Sequence, residues 1–145
     1  MTQTRPYGPR RVLVDTSAYF ALSDVSESRH RSADAIRQRL ISERWRLFTT
    51  NFIVAEAHAL FLARLGYDFA IRFLDQLYAS PTVVVRVTAA DERYASQLLH
   101  QYADKRFSFT DAAAFAVMER LRIGDAFTFD RNFEQYGLSV LAPSS

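Results

Sequence analysis

Four carboxylates sit where a chain leaving its core could gather them. Asp15 directly follows the apolar run RVLV, and Asp130 directly follows DAFTF. Glu56 lies in the early turns of NFIVAEAHALFLARL, and Asp111 in the first turn of SFTDAAAFAVMERLR. Clustered carboxylates repel and push each other's pKa up, so they are tolerated mainly when a divalent cation neutralises them. All-oxygen ligation favours Mg²⁺ or Mn²⁺. Such an ion keeps several waters, one of which could act as nucleophile, and it would steady the charge on a phosphodiester in the transition state.

Each acid also has a plainer reading. Asp15 could cap the helical piece SAYFALSD, and Asp130 could cap DRNFEQYG. Asp111 follows Ser108 by three, which matches a capping box with Asp in place of Glu, and it could also complement the helix dipole. Glu56 is harder to dismiss. Its neighbours about one turn away are Phe52, Ile53, Ala59 and Leu60, and a carboxylate in an apolar stripe is costly unless an Arg pairs with it or it is protonated.

The elements that must carry these acids alternate. Strands are expected at 11–14, 45–50, 82–88, 125–129 and 138–142, the clearest being TVVVRVT. Helices are expected over 17–24, 26–44, 51–65, 67–80, 89–104 and 108–122, from apolar residues at helical spacing and from stops such as Gly66 and Pro81. Strands separated by helices imply right-handed crossovers and an α/β fold, a central parallel sheet flanked by helices on both faces. In such sheets, sites form beyond the carboxyl ends of the strands. Asp15 and Asp130 fall at that edge, Glu56 close to it, and the helix of Asp111 must start there because it runs back to feed DAFTF.

Composition bounds the alternatives. A length of 145 residues and 49% hydrophobic residues fit one globular domain, expected over 11–145 after a flexible extension at 1–10. No cysteine occurs, which excludes disulfides and thiolate metal sites and fits a cytoplasmic setting. The most apolar run is interrupted by Glu56, His58 and Arg64, so no membrane span is expected. Nearly every cation is Arg, which favours bidentate phosphate contacts, although net charge is only +2. The three histidines show no zinc spacing: His30 and His100 read as solvated helix surface, and His58 as a core or interface residue pointing away from Glu56.

Three stretches together carry a family likeness: VLVDTSAYFAL, TTNFIVAEA and FSFTDAAAFAVMERLRIGDAFTFDRNFEQYGL. From about Arg11 to Pro143 the chain resembles the PIN domain, and more narrowly the VapC-type toxins of toxin–antitoxin pairs. The resemblance implies a Mg²⁺- or Mn²⁺-dependent ribonuclease whose metal ligands and catalytic acids are Asp15, Glu56, Asp111 and Asp130, with Asp15 and Asp111 the surest. It implies supporting hydroxyls at Thr16 or Ser17 and at Thr110, a homodimer, and a cognate antitoxin that blocks the acidic site. The expected reaction is in-line attack of water on an RNA phosphodiester, leaving 5′-phosphate and 3′-hydroxyl ends, with Arg131 or Arg106 positioning phosphates. Two other families that gather acids at a sheet edge fit less well. A haloacid-dehalogenase phosphatase needs a second Asp where Ser17 stands, and a receiver domain needs an acidic pair near the first strand and a Lys after a late one. The remaining alternative is a catalytically silent PIN-like fold acting as a binding or scaffolding module.

Overall fold

Alternation within β1 (Arg11–Val14) sets the two sides of the sheet. Successive strand residues point to opposite faces, so Leu13 enters one core while Val12 and Val14 enter another. The structure, a computed structural model, describes residues 8–142. Met1 to Tyr7, most of the expected extension, lie outside the described residues; Arg10 at its end is held by Glu43 at 3.3 Å and stacks on Trp45.

Among the described residues the sheet has five strands, all parallel, in the order β3-β2-β1-β4-β5. The others are β2 (Arg46–Thr50), β3 (Val83–Val85), β4 (Asp125–Phe127) and β5 (Ser139–Val140). On one face, Leu13, Phe48 and Ala126 pack against the all-apolar stretch of α6 (Phe109–Leu121) and against α5 (Ala89–Gln101). On the other, Val12, Val14 and Phe127 pack against α1 (Thr16–Ser23) and α2 (His30–Ser42). A third cluster joins α3 (Asn51–Leu65) to α4 (Tyr67–Ala79) through Phe61, Phe73 and Leu77. The short α7 (Arg131–Tyr136) seals the first core with Phe133. The α/β class and the helices on both faces are as the alternating pattern implies.

Several elements are shorter than their sequence pattern suggests, each for a local reason. The helix expected from residue 26 begins only at His30. Before it, Asp24 accepts from both the backbone and the hydroxyl of Ser26, and such local bonds compete with a helical turn. The strand expected to reach residue 88 ends at Val85. Beyond it the Val87 amide donates to Asn51 Oδ1 and the Thr88 amide to Asp91 Oδ2. The strand expected to reach residue 129 ends at Phe127, because the Phe129 amide donates to Ser17 Oγ and the Asp130 amide to Thr128 Oγ1. The hydroxyls that stop β4 are also those that surround Asp15.

Candidate active site

The strand order reverses between β1 and β4. From β1 the chain builds outward to β2 and β3; β4 and β5 are then laid down on the other side. The helices leaving adjacent strands at such a switch point diverge and open a crevice at the carboxyl edge. The Asp15 amide donates to the Phe127 carbonyl at 3.0 Å, which joins the two strand ends at its floor. A cavity of about 540 Å³ opens there, and Asp15, Glu56, Asp111 and Asp130 all line it.

Each acid reaches the cavity from its own element. Asp15 stands at the start of α1 without making a side-chain capping bond, so the plain helix-cap reading does not describe it. Its Oδ2 accepts from Thr128 Oγ1 at 2.9 Å and from Ser17 Oγ at 3.1 Å, while Oδ1 receives no side-chain donor among the described residues. Asp111 does form the capping box with Ser108, and Asp130 does cap α7 through the Asn132 amide. Both also face the cavity, so capping and lining coexist. Asp111 Oδ2 takes the Ser108 amide and the Asn132 side-chain amide at 2.8 Å. Asp111 Oδ1 and Asp130 Oδ2 have no hydrogen-bond donor among the described residues.

Glu56 corrects the expectation drawn from its apolar neighbours. The buried face of α3 runs through Ile53, Val54, Ala57 and Phe61, and Glu56 is turned out of it, exposed at the cavity wall with no ion-pair partner among the described residues. No desolvation has to be offset. A turn of four residues places Leu60 and Arg64 on the same wall.

Burial and neighbouring acids set the electrostatics of the two innermost carboxylates. Burial pushes the Asp15 carboxyl up to about 6, the Thr128 hydrogen bond opposes this, and the Asp111 charge adds to it. Asp111 is likewise raised, first by burial, against the Asn132 hydrogen bond, with the Asp130 charge adding. Thr16 also lines this cavity, and its hydroxyl is buried without a hydrogen-bond partner among the described residues. Oxygen-only donors with free lone pairs suit a hard divalent cation. Among the described residues no group of three or more His, Cys, Asp or Glu is drawn together as a ready ligand set. The four acids expected as metal ligands therefore line one cavity without being gathered into a close ligand set.

Other expected residues fall elsewhere. Ser17 lines the cavity but Thr110 does not. Arg106 and Arg131 are exposed away from it, and the cations on its rim are Arg29 and Arg64. Arg29 comes from the turn before α2 and lies over the Phe129 ring. His30 is half-buried rather than solvated, with Nδ1 2.7 Å from the Ala21 carbonyl, whereas His100 is on the helix surface. Glu27, which lines the cavity, and Thr128 and Asn132, which bond Asp15 and Asp111, are not singled out by their sequence context. Only Thr128 had a local signal: it lies two residues before Asp130, as a hydroxyl at the end of a strand.

Comparison with known proteins gives a consistent set of similarities. The family model described as the PIN domain matches residues 12–138. The chain is 30% identical over 132 residues, 91% of its length and 98% of the relative's, to the 23S rRNA-specific endonuclease VapC20 of Mycobacterium tuberculosis, in both strain CDC 1551 / Oshkosh and strain ATCC 25618 / H37Rv. The crystal structure of M. tuberculosis VapC20, described as a Sarcin-Ricin loop cleaving toxin, superposes with a TM-score of 0.82 at 29% identity, covering 91% of this chain and 99% of that one. VapBC2 from Rickettsia felis, bound to a DNA fragment from its promoter, superposes with a TM-score of 0.64 at 13% identity, covering 90% and 97%; at that identity the likeness is one of fold.

Proposed function

This chain belongs to the PIN domain family, and we propose that it is a metal-dependent endoribonuclease, the toxin of a toxin–antitoxin pair, which hydrolyses RNA phosphodiesters. The observation that carries the reading is the convergence of Asp15, Glu56, Asp111 and Asp130 on one cavity at the switch point of the sheet. The similarity to a 23S rRNA-specific endonuclease over nearly the whole chain supports it and makes ribosomal RNA the first substrate to test. Residues 11–145 are taken as one nuclease domain. It acts in the cytoplasm, as a homodimer held in check by its antitoxin; no helix among the described residues is long and apolar enough to cross a membrane.

Asp15 and Asp111 would hold a Mg²⁺ or Mn²⁺ ion, with Glu56 and Asp130 completing the cluster. When bound, the ion neutralises charge developing on the phosphodiester and makes a nearby water more acidic. The protein's own part is orientation. Ser17 and Thr128 hold Asp15 Oδ2; Thr16 lines the same wall with its hydroxyl unpartnered among the described residues, while Thr110 sits in the first turn of α6 beside Asp111. Glu56 is exposed on the cavity wall and unpaired among the described residues, where it would orient the attacking water. Attack in line with the 3′ oxygen leaves a 5′-phosphate and a 3′-hydroxyl.

Arg29 and Arg64 take the phosphates that flank the bond being cut. Along α3, Glu56 and Arg64 are two turns apart, ~12 Å at the helical rise, so the wall passes from an acidic to a basic end. Arg29→Gln and Arg64→Gln should each weaken RNA binding at every sequence and flatten the dependence of log Kd on log salt by about one unit. Fluorescence anisotropy with a labelled RNA loop, from 50 to about 300 mM salt, reads both effects. Unchanged slopes would remove these arginines from the substrate path.

The reading as a whole is tested by incubating the purified full chain, free of antitoxin, with total RNA. Discrete fragments are expected with Mg²⁺ or Mn²⁺ and none with EDTA, and mapping the ends identifies the target. RNA that stays intact on every substrate, together with no Mn²⁺ binding in calorimetry, would reduce the acids to caps and surface charges.

A further inference from the structure

Asn132 is the one side chain among the described residues that hydrogen-bonds directly to Asp111 from outside the α6 capping box, and its backbone serves a second acid. Its Nδ2 donates to Asp111 Oδ2 at 2.8 Å. Its amide N–H donates to Asp130 Oδ1 at 3.0 Å. The starts of α6 and α7, far apart in the chain, are thereby pinned by a single residue to the same rim of the cavity.

The consequence lies in which oxygens are left over. With Asp111 Oδ2 engaged by Ser108 and Asn132 and Asp130 Oδ1 engaged by Asn132, Asp111 Oδ1 and Asp130 Oδ2 remain without a protein donor among the described residues. Two carboxylates on neighbouring helix starts repel, and unrestrained they would rotate apart. Outer hydrogen bonds that fix a ligand's orientation are a large part of a metal site's affinity. We infer that Asn132 is a positioning residue that holds Asp111 and Asp130 with one free oxygen each toward a shared divalent cation, and so sets the metal affinity of the pocket. This rests on the metal-nuclease reading above. No property of Asn132 as an isolated residue suggests the role; it comes from the meeting of α6 and α7.

Asn132→Ala is a narrow test, because the backbone bond that caps α7 survives it and only the amide contact to Asp111 is lost. Asn132→Ser serves as a second variant, a shorter polar side chain compatible with the first turn of a helix. Isothermal titration of the metal-free full chain with Mn²⁺ alone should show Kd rising about 10- to 100-fold in both variants. Their cleavage rates should return towards the wild-type value at saturating Mn²⁺, since the reacting groups are intact. A merely structural role would lower the melting midpoint without moving Mn²⁺ affinity well below it. Mn²⁺ affinity within twofold of wild type in both variants overturns the inference while leaving the nuclease reading in place. A wild-type chain that binds no Mn²⁺ overturns both.

Discussion

Asp15→Asn and Asp111→Asn should each lower kcat/KM for RNA cleavage by about three orders of magnitude. Each removes a charged oxygen from the pair expected to hold the ion, and metal charge stabilisation is worth several kcal/mol, with about 1.4 kcal/mol per tenfold in rate. The amide keeps the shape of the acid. In Asp111→Asn one oxygen remains to accept from the Ser108 amide, so the start of α6 keeps its cap. RNA affinity should therefore hardly change, and the loss should fall on kcat. Glu56→Gln should cost less, about ten- to a hundredfold, because an exposed residue at the wall orients water and is not the ion's main anchorage. Steady-state cleavage of a short RNA carrying the mapped site, at several Mn²⁺ concentrations, measures all three. If Asp15→Asn or Asp111→Asn kept more than a tenth of the wild-type rate, the cluster would not be the reacting centre.

These acids were legible because each sits next to an element whose direction is readable. A β-branched run ending in Asp15, an apolar strand pattern running up to Asp130 and a capping box at Ser108–Asp111 place three carboxylates at the carboxyl edge once the sheet is taken as parallel. What could not be read depends on rotation and on distant contacts. Glu56 sits among apolar neighbours in sequence, yet the buried face of α3 is narrower than that list implies. Strand ends were overextended because hydroxyl and amide side chains from elsewhere take the backbone groups that a longer ladder would need. Thr128 meets Asp15 across nearly the whole chain, and Arg29 reaches the rim from a turn that reads as helix. Arg131 adjoins Asp130 in sequence, but one position along a helix turns a side chain by about 100°, and Arg131 does not line the cavity.

The same burial that prepares Asp15 for a cation makes it a burden without one. Its carboxyl is pushed up to about 6 in the folded chain, against about 3.9 in an unfolded one. Below the unfolded value both states are protonated and nothing is lost. As pH rises from about 4 to 6 the unfolded chain releases its proton first, so stability falls, and above 6 the full penalty persists. At 1.36 kcal/mol per pKa unit this is about 3 kcal/mol. Asp15→Asn removes the charge, and the Ser17 and Thr128 hydroxyls can reorient to accept from the amide. The metal-free variant should therefore melt about 10 °C above metal-free wild type at pH 7.5, with the gap closing below about pH 4. Added Mg²⁺ should stabilise wild type more than the variant, because a cation bound only to the folded state raises its stability by mass action, so the gap should also narrow at neutral pH. Melting curves for both proteins from pH 4 to 8, with EDTA and with Mg²⁺, check each part. A variant no more stable than wild type in EDTA at pH 7.5 would mean that Asp15 is already compensated within the protein. A stability gain matched by a loss of cleavage would instead show that this fold keeps an uncompensated buried charge where function needs one.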